Sequence, residues 1–375
     1  MELPPSPVPP IGTSPPPEEG VAAAGSSEQA KTALQLAAAA AERAEAPGPS
    51  PFVPPDTLVL SGGGPDGIAF LGCVRWLERA KALGQLRTVV GCSAGAIVAF
   101  LLALRMTSDD MRAFALRGLE DGSLRDLDVE GIVSFAERLG VDDGSRVVEA
   151  LRRELRTRVR GAPEDATFLE LAKATGRNLV VCVANLEESR SELLSVDTTP
   201  DLSVLTAVRM SFSVPLVFTP VRWRGRTYVD GCLFDFCPTA HILSSGTATS
   251  TLAFRITTEG FATKRQGSDT CDGEGSDAPP GIVNYLGLLA RAVMTRSCGS
   301  SQGHKHGTGT GNGTALLRTV DVPGLLSWGD DGATACRFDV YSLSLCISAE
   351  GLDRYVQHGF NETERQIIGE GRPLP

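Results

Sequence analysis

Residues 89–96, VVGCSAGA, constrain the fold of this chain more than any other stretch. Two β-branched residues run into a G-x-S-x-G motif centred on Ser93, and an apolar run over residues 96–104 follows. This order is typical of a nucleophile elbow, in which a strand turns sharply into a helix and presents a serine at the bend. Side chains at Gly91 and Gly95 would clash where the strand and the helix pass close together. Ser93 is therefore the candidate nucleophile.

The elements upstream of this motif predict a parallel sheet. A short apolar strand over residues 57–60 leads into the glycine-rich loop 61–67, and apolar residues at helical spacing follow over residues 68–83. Gly84 is expected to cap the C-terminal end of that helix. The next strand, residues 88–90, leads into the elbow. This alternation of strands and helices predicts an α/β fold, since parallel strands need such crossovers.

The rest of the chain continues the alternation. Helices are predicted over residues 145–160, 166–176, 202–212 and 350–368, and strands over 178–184, 192–196, 216–221, 227–229, 252–257, 315–322 and 337–341. The helix at 145–160 carries six arginines against two glutamates. It is interpreted as a core helix with a solvated face, and contact with an anionic membrane surface is the alternative.

Composition predicts the domain organisation. Residues 1–55 are rich in Pro, Ala, Gly and Ser, which predicts a disordered tail. Residues 56–260 are expected to form the catalytic core. A Gly/Ser-rich insertion with one helix near 282–294 is expected over residues 261–334, and residues 335–375 are expected to complete the domain with a strand and a helix.

Charge and cysteine content narrow the function classes. The net charge is −10 and no dense basic block occurs, so nucleic acid is not an expected partner. The chain has nine cysteines, an odd number, and several of them lie in apolar runs, which favours reduced thiols in a cytosol-like compartment. None has the spacing of a zinc motif, and the first residues, MELPPSPVPP, do not read as a secretory signal. The run over residues 96–104 is too short to span a bilayer.

Three successive glycines, Gly62, Gly63 and Gly64, follow the first strand and precede a helix. Backbone N–H groups without side chains at such a place can bind an anion or form an oxyanion hole. The expected donors to an oxyanion are the amides of Gly63, Gly64 and Ala94, the last of which follows the candidate nucleophile.

A dinucleotide-binding loop is the alternative for the same glycines, because Gly62, Gly64 and Gly67 also match G-x-G-x-x-G. That motif requires an acidic residue about 20 positions further on, at the end of the next strand. Position 87 is Arg, and the next strand ends in the serine motif instead. The sequence therefore favours the oxyanion loop.

Asp230 is the candidate base for Ser93. It follows a short predicted strand directly and precedes Gly231, so we expect it at the same edge of the sheet as the serine. A carboxylate can act as the base if it lies within hydrogen-bond reach of the hydroxyl. Among the four histidines, His304 and His306 lie in a Gly-rich tract and His358 lies in the last helix, while His241 follows a turn. None of the four histidines lies at a sequence position that indicates a role as the base for Ser93.

Together, SGGGPDG at 61–67, GCSAGA at 91–96 and SFSVPLVFTPVRWRGRTYVDGC at 211–232 resemble the patatin-like phospholipases, as does TFLELAKATGRNLVVCVANLEE at 167–188. The resemblance covers about residues 56–260 and implies a three-layer α/β/α fold with a mainly parallel central sheet. It implies Ser93 as nucleophile and Asp230 as general base, without a metal or other cofactor. It assigns the remaining motif positions to the oxyanion loop, the elbow and the aspartate motif: Gly62, Gly63, Gly64, Gly67, Gly91, Gly95 and Gly231.

This chain departs from the family pattern at three positions. Asp66 stands where the family usually has Lys or Arg, which is expected to affect headgroup preference or rate. Cys92 stands where Thr is common, and Cys232 where Gly or Ala is common. Both cysteines are small, and Cys92 is expected to point into the core.

The expected function is hydrolysis of acyl esters of phospholipids or related lipids by a cytoplasmic protein with peripheral membrane contact. The alternative is a catalytically weak lipid-binding or interaction protein that keeps the fold. The sequence makes no prediction of the oligomeric state.

Overall fold

The computed structural model describes residues 52–124, 135–159, 165–244, 246, 248–257, 316–325, 336–339 and 344–369. Residues 1–51 of the predicted tail and the predicted helix near 282–294 lie outside these residues. The described strands are β1 Thr57–Leu60, β2 Thr88–Cys92, β3 Gly140–Asp142, β4 Asn178–Asn185, β5 Arg190–Leu194, β6 Leu216–Phe218, β7 Val221–Trp223, β8 Arg226–Asp230, β9 Ser250–Thr257, β10 Leu316–Pro323, β11 Cys336–Asp339 and β12 Ser344–Ile347.

The described α-helices are α1 Phe70–Arg79, α2 Ala94–Ala103, α3 Ser108–Glu120, α4 Phe135–Arg138, α5 Ser145–Arg158, α6 Phe168–Thr175, α7 Val204–Ser211, α8 Thr239–Ser244 and α9 Ala349–Ile367. The described 3-10 helices are Gly64–Ala69, Ala82–Gln85 and Gly231–Leu233. Helices α3 and α6 each begin with a capping box, Thr107 with Asp110 and Thr167 with Glu170. These side chains satisfy amide groups that the first helical turn leaves without a partner.

An eight-stranded sheet is ordered β10-β9-β1-β2-β4-β8-β7, with β5 on the other edge of β4. Strands β10, β9, β1, β2 and β4 run parallel. Strands β5 and β8 are antiparallel to β4, and β7 is antiparallel to β8. The expected α/β fold with a mainly parallel central sheet is confirmed. Strand β10 lies within the 261–334 segment and forms an edge of this sheet.

Alternation along the strands gives the sheet two buried faces. Leu58 and Leu60 face the larger apolar cluster, which includes residues of α1, α2 and α9. Val59 and Val90 face a smaller cluster on the other side, which includes Ile242 of α8. Helices therefore cover both faces of the sheet, and Ser93, directly after β2, is buried.

The predicted helix over residues 68–83 is broken into three parts. The 3-10 turn Gly64–Ala69 precedes α1, and a second 3-10 turn, Ala82–Gln85, follows it. The prediction of Gly84 as the C-terminal cap is wrong, because α1 ends at Arg79 and is followed by Ala80 as the cap and by Lys81 in the left-handed conformation, with φ of 54°. Gly84 lies inside the second 3-10 turn.

Helix α5 packs as a core helix. Its apolar face is buried at Ala150, Leu151 and Leu155. Its arginines pair with nearby carboxylates, including Arg153 with Asp121 and Arg158 with Asp110 and Glu154. These contacts favour the interpretation as a core helix over the membrane-surface alternative. No helix in the described part of the chain combines the length and apolar character needed to cross a bilayer.

Candidate active site

Ser93 occupies a strained elbow between β2 and α2. Its φ and ψ are 53° and −124°, a conformation that few non-glycine residues adopt. Close packing holds this turn: a Cβ at Gly91 would lie 2.3 Å from the carbonyl oxygen of Gly95, and a Cβ at Gly95 would lie 2.3 Å from that of Ser61. The steric reason expected for both glycines is confirmed.

Strands β2 and β8 meet end to end on one edge of β4. The register pairs Cys92 with Cys182 in parallel, and the next residue of β4, Val183, pairs with Asp230 in antiparallel. Since β5 occupies the opposite edge of β4 over residues 181–185, β2 and β8 share the remaining edge. Their carboxyl ends therefore abut, and each carries one of the two predicted site residues.

This arrangement differs from the sequence-based expectation in one respect. Asp230 was expected at the carboxyl edge of the sheet by analogy with parallel strands, but β8 is antiparallel to β4. The hairpin with β7, turning at Arg224 and Gly225, reverses the chain before β8 begins. Strand β4 extends beyond the end of β2, and β8 pairs with this extension. Strand β8 therefore ends beside Ser93.

The structure brings the two predicted residues into direct contact. The Ser93 hydroxyl donates to Asp230 Oδ2 at 2.6 Å. The backbone N–H of Ser93 donates to the hydroxyl of Ser211 at 2.9 Å, and that hydroxyl donates to the carbonyl of Cys182 at 2.7 Å. Ser211 thus ties the elbow to β4. Sequence reasoning did not single it out, because nothing in the local pattern at the end of α7 indicates this long-range contact.

Asp230 is an unusual carboxylate because it is completely buried. Burial raises its pKa from 3.8 to about 6, against the opposing effect of hydrogen bonds from Ser93 and from Cys232. The Cys232 N–H donates to Oδ1 at 2.9 Å, and the other oxygen faces Ser93. A carboxylate with this pKa can accept a proton near neutral pH and release it again.

The glycine loop lies beside the elbow, but its glycines differ in what they contribute. The resemblance places Gly62 in the oxyanion loop, but its N–H donates to the carbonyl of Phe236 at 2.9 Å, so this amide is not available to an oxyanion. Gly67 lies inside the 3-10 turn, where a Cβ would lie 2.7 Å from the Cβ of Ala94. The structure thus gives Gly67 a packing role against the elbow.

The three predicted donors to an oxyanion lie at the starts of two helical segments. Within the described ranges, no acceptor is found for the N–H groups of Gly63, Gly64 and Ala94. Gly63 and Gly64 open the 3-10 turn, and Ala94 opens α2. First-turn amides of this kind carry partial positive charge that suits a developing oxyanion.

Asp66 does not present its charge to the active site. Its side chain is buried, and Oδ1 accepts from the hydroxyl of Tyr355 at 3.0 Å and from the N–H of Leu325 at 2.9 Å. Asp66 thus links the glycine loop to α9 and to the segment after β10. The expected effect of Asp66 on headgroup preference assumes a carboxylate exposed on the loop surface, whereas this carboxylate is buried.

Histidine plays no part in the site among the described residues. His241 is exposed and contacts Asp235 at 3.2 Å, and His358 contacts the carbonyl of Pro323 at 2.8 Å. His304 and His306 lie outside the described ranges. In the described part of the chain, the group of residues that could hold a metal ion is Cys92, Asp230 and Cys232, whose ligand atoms lie within 4.8 Å of one another.

Residues 58–243 match the model of the patatin-like phospholipase family, which identifies this part of the chain as a patatin-like domain. A curated relative, probable lipid hydrolase 463L of Invertebrate iridescent virus 6, is 27% identical over 184 residues, 48% of this chain and 61% of that protein. The uncharacterized protein YqhO of Bacillus subtilis is 30% identical over 194 residues, 48% of this chain and 64% of that protein. The chain thus spans about six-tenths of the length of these relatives.

Solved structures similar to this chain include VipD of Legionella pneumophila. It has a TM-score of 0.42 and 16% identity, over 85% of this chain and 67% of that one. The type III effector ExoU has a TM-score of 0.37 and 19% identity, over 85% of this chain and 53% of that one.

Proposed function

We propose that the protein is a serine acyl hydrolase that cleaves ester bonds of phospholipids or related acyl lipids. The observation that carries the catalytic part of this proposal is the 2.6 Å hydrogen bond from the Ser93 hydroxyl to the buried carboxylate of Asp230. A serine hydroxyl is a weak nucleophile until a neighbouring base accepts its proton. Asp230 is in position to do so.

In the first half of the reaction, Asp230 takes the proton of Ser93 as the serine oxygen attacks the ester carbonyl. The amides of Gly63, Gly64 and Ala94 stabilise the negative oxygen of the tetrahedral intermediate. Loss of one such donor typically lowers the rate by about 10²–10³. Collapse of the intermediate breaks the ester bond, and protonated Asp230 gives its proton to the leaving alkoxide.

In the second half, Asp230 activates a water molecule that attacks the acyl group on Ser93. The same amides stabilise the second oxyanion, and the fatty acid leaves while the serine regains its proton. The raised pKa of Asp230, about 6, suits a group that must accept and donate the same proton. No step of this sequence requires a metal or another cofactor.

The substrate class rests on the family and on the name of the viral relative, a probable lipid hydrolase. Lipid esters reside in membranes or micelles, so the protein would work at a lipid surface by peripheral contact. A cytoplasmic location would suit its reduced cysteines.

Fatty-acid release from phospholipid vesicles by the full chain tests the proposal. The wild type should release fatty acid, and Ser93→Ala and Asp230→Asn should each lower the rate by about 10³-fold or more. Ser145→Ala, which changes an exposed serine at the start of α5, is the matched control and should retain the wild-type rate. Release that persists in Ser93→Ala would contradict the proposal, and vesicle binding without any release would favour the lipid-binding alternative.

A further inference from the structure

Two thiols lie directly against the carboxylate of Asp230. Cys92 Sγ and Cys232 Sγ are 3.5 Å apart, although the residues are 140 positions apart in the chain. Both side chains, like that of Asp230, are completely buried. The two sulfurs and one carboxylate oxygen all lie within 4.8 Å of one another. The proposed hydrolysis uses neither thiol.

Close packing fixes the positions of both sulfurs. A Cβ at Gly62 would lie 2.1 Å from Cys232 Sγ, and a Cβ at Gly231 would lie 2.9 Å from Cys92 Sγ. Cys92 Sγ also contacts the carbonyl oxygen of Asp235 at 3.4 Å. The glycines thus leave room for the sulfurs, and the neighbouring carbonyl holds one of them in place. The cluster is therefore a closely packed part of the site.

We propose that Cys92, Cys232 and Asp230 form an inhibitory binding site for a thiophilic divalent cation, of which Zn²⁺ is the probe. Zinc takes thiolate sulfur at about 2.3 Å and carboxylate oxygen at about 2.0–2.2 Å, in a tetrahedral arrangement. Two sulfurs at that distance from one ion are about 3.8 Å apart. The observed 3.5 Å separation needs only a small outward movement. A fourth position would be left for water or for the Ser93 hydroxyl.

Binding is an exchange of protons for the cation. Two S–H protons leave to solvent, and two thiolates and one carboxylate take the Zn²⁺, with no change of oxidation state. The cation then holds the carboxylate that would accept the proton of Ser93, so hydrolysis stops. This inhibitory effect rests on the proposed function, whereas the binding of the cation does not.

The first test measures binding without reference to activity. The full chain, reduced and freed of metal, is dialysed against buffered Zn²⁺ or Co²⁺ and the bound metal is counted. The wild type should bind one ion per chain, and the Co²⁺ form should show a thiolate-to-metal charge-transfer band. Cys92→Ala, Cys232→Ala and Asp230→Asn should each weaken binding by about 100-fold or more, which exceeds the usual effect of losing a neighbouring residue that only orients a ligand.

Cys73→Ala is the matched control. Cys73 is also a completely buried thiol, but its sulfur contacts the carbonyls of Ala69 and Gly359, away from the cluster. This variant should bind zinc like the wild type. A wild type that binds no ion, or undiminished binding in both folded Cys92→Ala and folded Cys232→Ala, would overturn the proposal, with far-ultraviolet circular dichroism checking the fold of each.

The second test concerns activity. Zn²⁺ should abolish fatty-acid release by the wild type and by Cys73→Ala, and a chelator should restore it. Release that continues with one Zn²⁺ bound per chain would overturn the inhibitory part. Stoichiometric zinc binding by a protein that never releases fatty acid would contradict the proposed hydrolase and support the cation site, so the two failures are distinct.

Discussion

The buried charge of Asp230 should lower the free energy of unfolding, and a substitution that removes this charge should show the size of the effect. Burial raises the pKa of this carboxyl from 3.8 to about 6, a difference of about 2 units. Each unit corresponds to about 1.4 kcal/mol, so the folded state prefers the protonated form by about 3 kcal/mol. The folded-state pKa is the higher one, so the wild type gains stability as pH falls from about 6 towards 3.8.

Asp230→Asn removes the charge and keeps the shape. Its amide can still accept the hydrogen bond from the Cys232 N–H and donate one to Ser93. At about pH 8 we expect the variant to exceed the wild type in free energy of unfolding by up to about 3 kcal/mol. The difference should shrink as pH falls below about 6 and vanish only well below pH 3.8, where the wild-type carboxyl is protonated in both the folded and the unfolded state.

Urea unfolding followed by circular dichroism at several pH values measures this difference. Asp201→Asn is the control, since it removes an exposed carboxylate and should not reproduce the effect. The variant should also lose hydrolysis, and wild-type kcat/KM should decline below about pH 6 as Asp230 becomes protonated. An Asp230→Asn protein that is no more stable than the wild type at pH 8 would refute the argument.

Other contacts give three further predictions. Gly95→Ala should lower the free energy of unfolding by more than about 2 kcal/mol, because the added Cβ would lie 2.3 Å from a carbonyl oxygen. The control is Gly84→Ala, whose Cβ meets no atom within 4 Å and which should change the free energy of unfolding by less than about 0.5 kcal/mol. Equal effects of the two substitutions would contradict this prediction. Asp66→Asn and Tyr355→Phe should each lower it by about 1–3 kcal/mol, and a double variant with fully additive losses would argue against their hydrogen bond. Ser211→Ala removes the acceptor of the Ser93 N–H and should lower kcat about 10-fold with KM little changed; an unchanged kcat would contradict a positioning role.

Much of the fold could be predicted from local sequence patterns. The apolar strand β1, the elbow at Ser93 and the helix α2 follow from short-range signals, and the steric need for Gly91 and Gly95 is itself local. The direction of β8 was harder, although the turn at Arg224 and Gly225 hinted at a hairpin. That β8 continues the edge left by β2 depends on the length of β4 beyond Cys182, which no local pattern encodes.

The remaining site features depend on residues far apart in the chain. The carbonyl of Phe236 accepts from the Gly62 amide and so makes it unavailable to an oxyanion. The hydroxyl of Tyr355 donates to Asp66 and so fixes the orientation of its side chain. The thiols of Cys92 and Cys232 have no motif spacing, and only the meeting of two strand ends brings them together. The sequence thus identifies the side chains that could take part in the chemistry, and tertiary contacts decide which of their donors and acceptors remain available for it.

The central claim is that Asp230 activates Ser93 as a nucleophile, and labelling with a fluorophosphonate tests it most directly. The folded wild type should carry one adduct on Ser93, located by mass spectrometry of its peptides. Urea-unfolded protein and Asp230→Asn should carry essentially none, because the hydroxyl then lacks its base. An unlabelled Ser93 in folded wild type, or equal labelling in Asp230→Asn, would contradict the account.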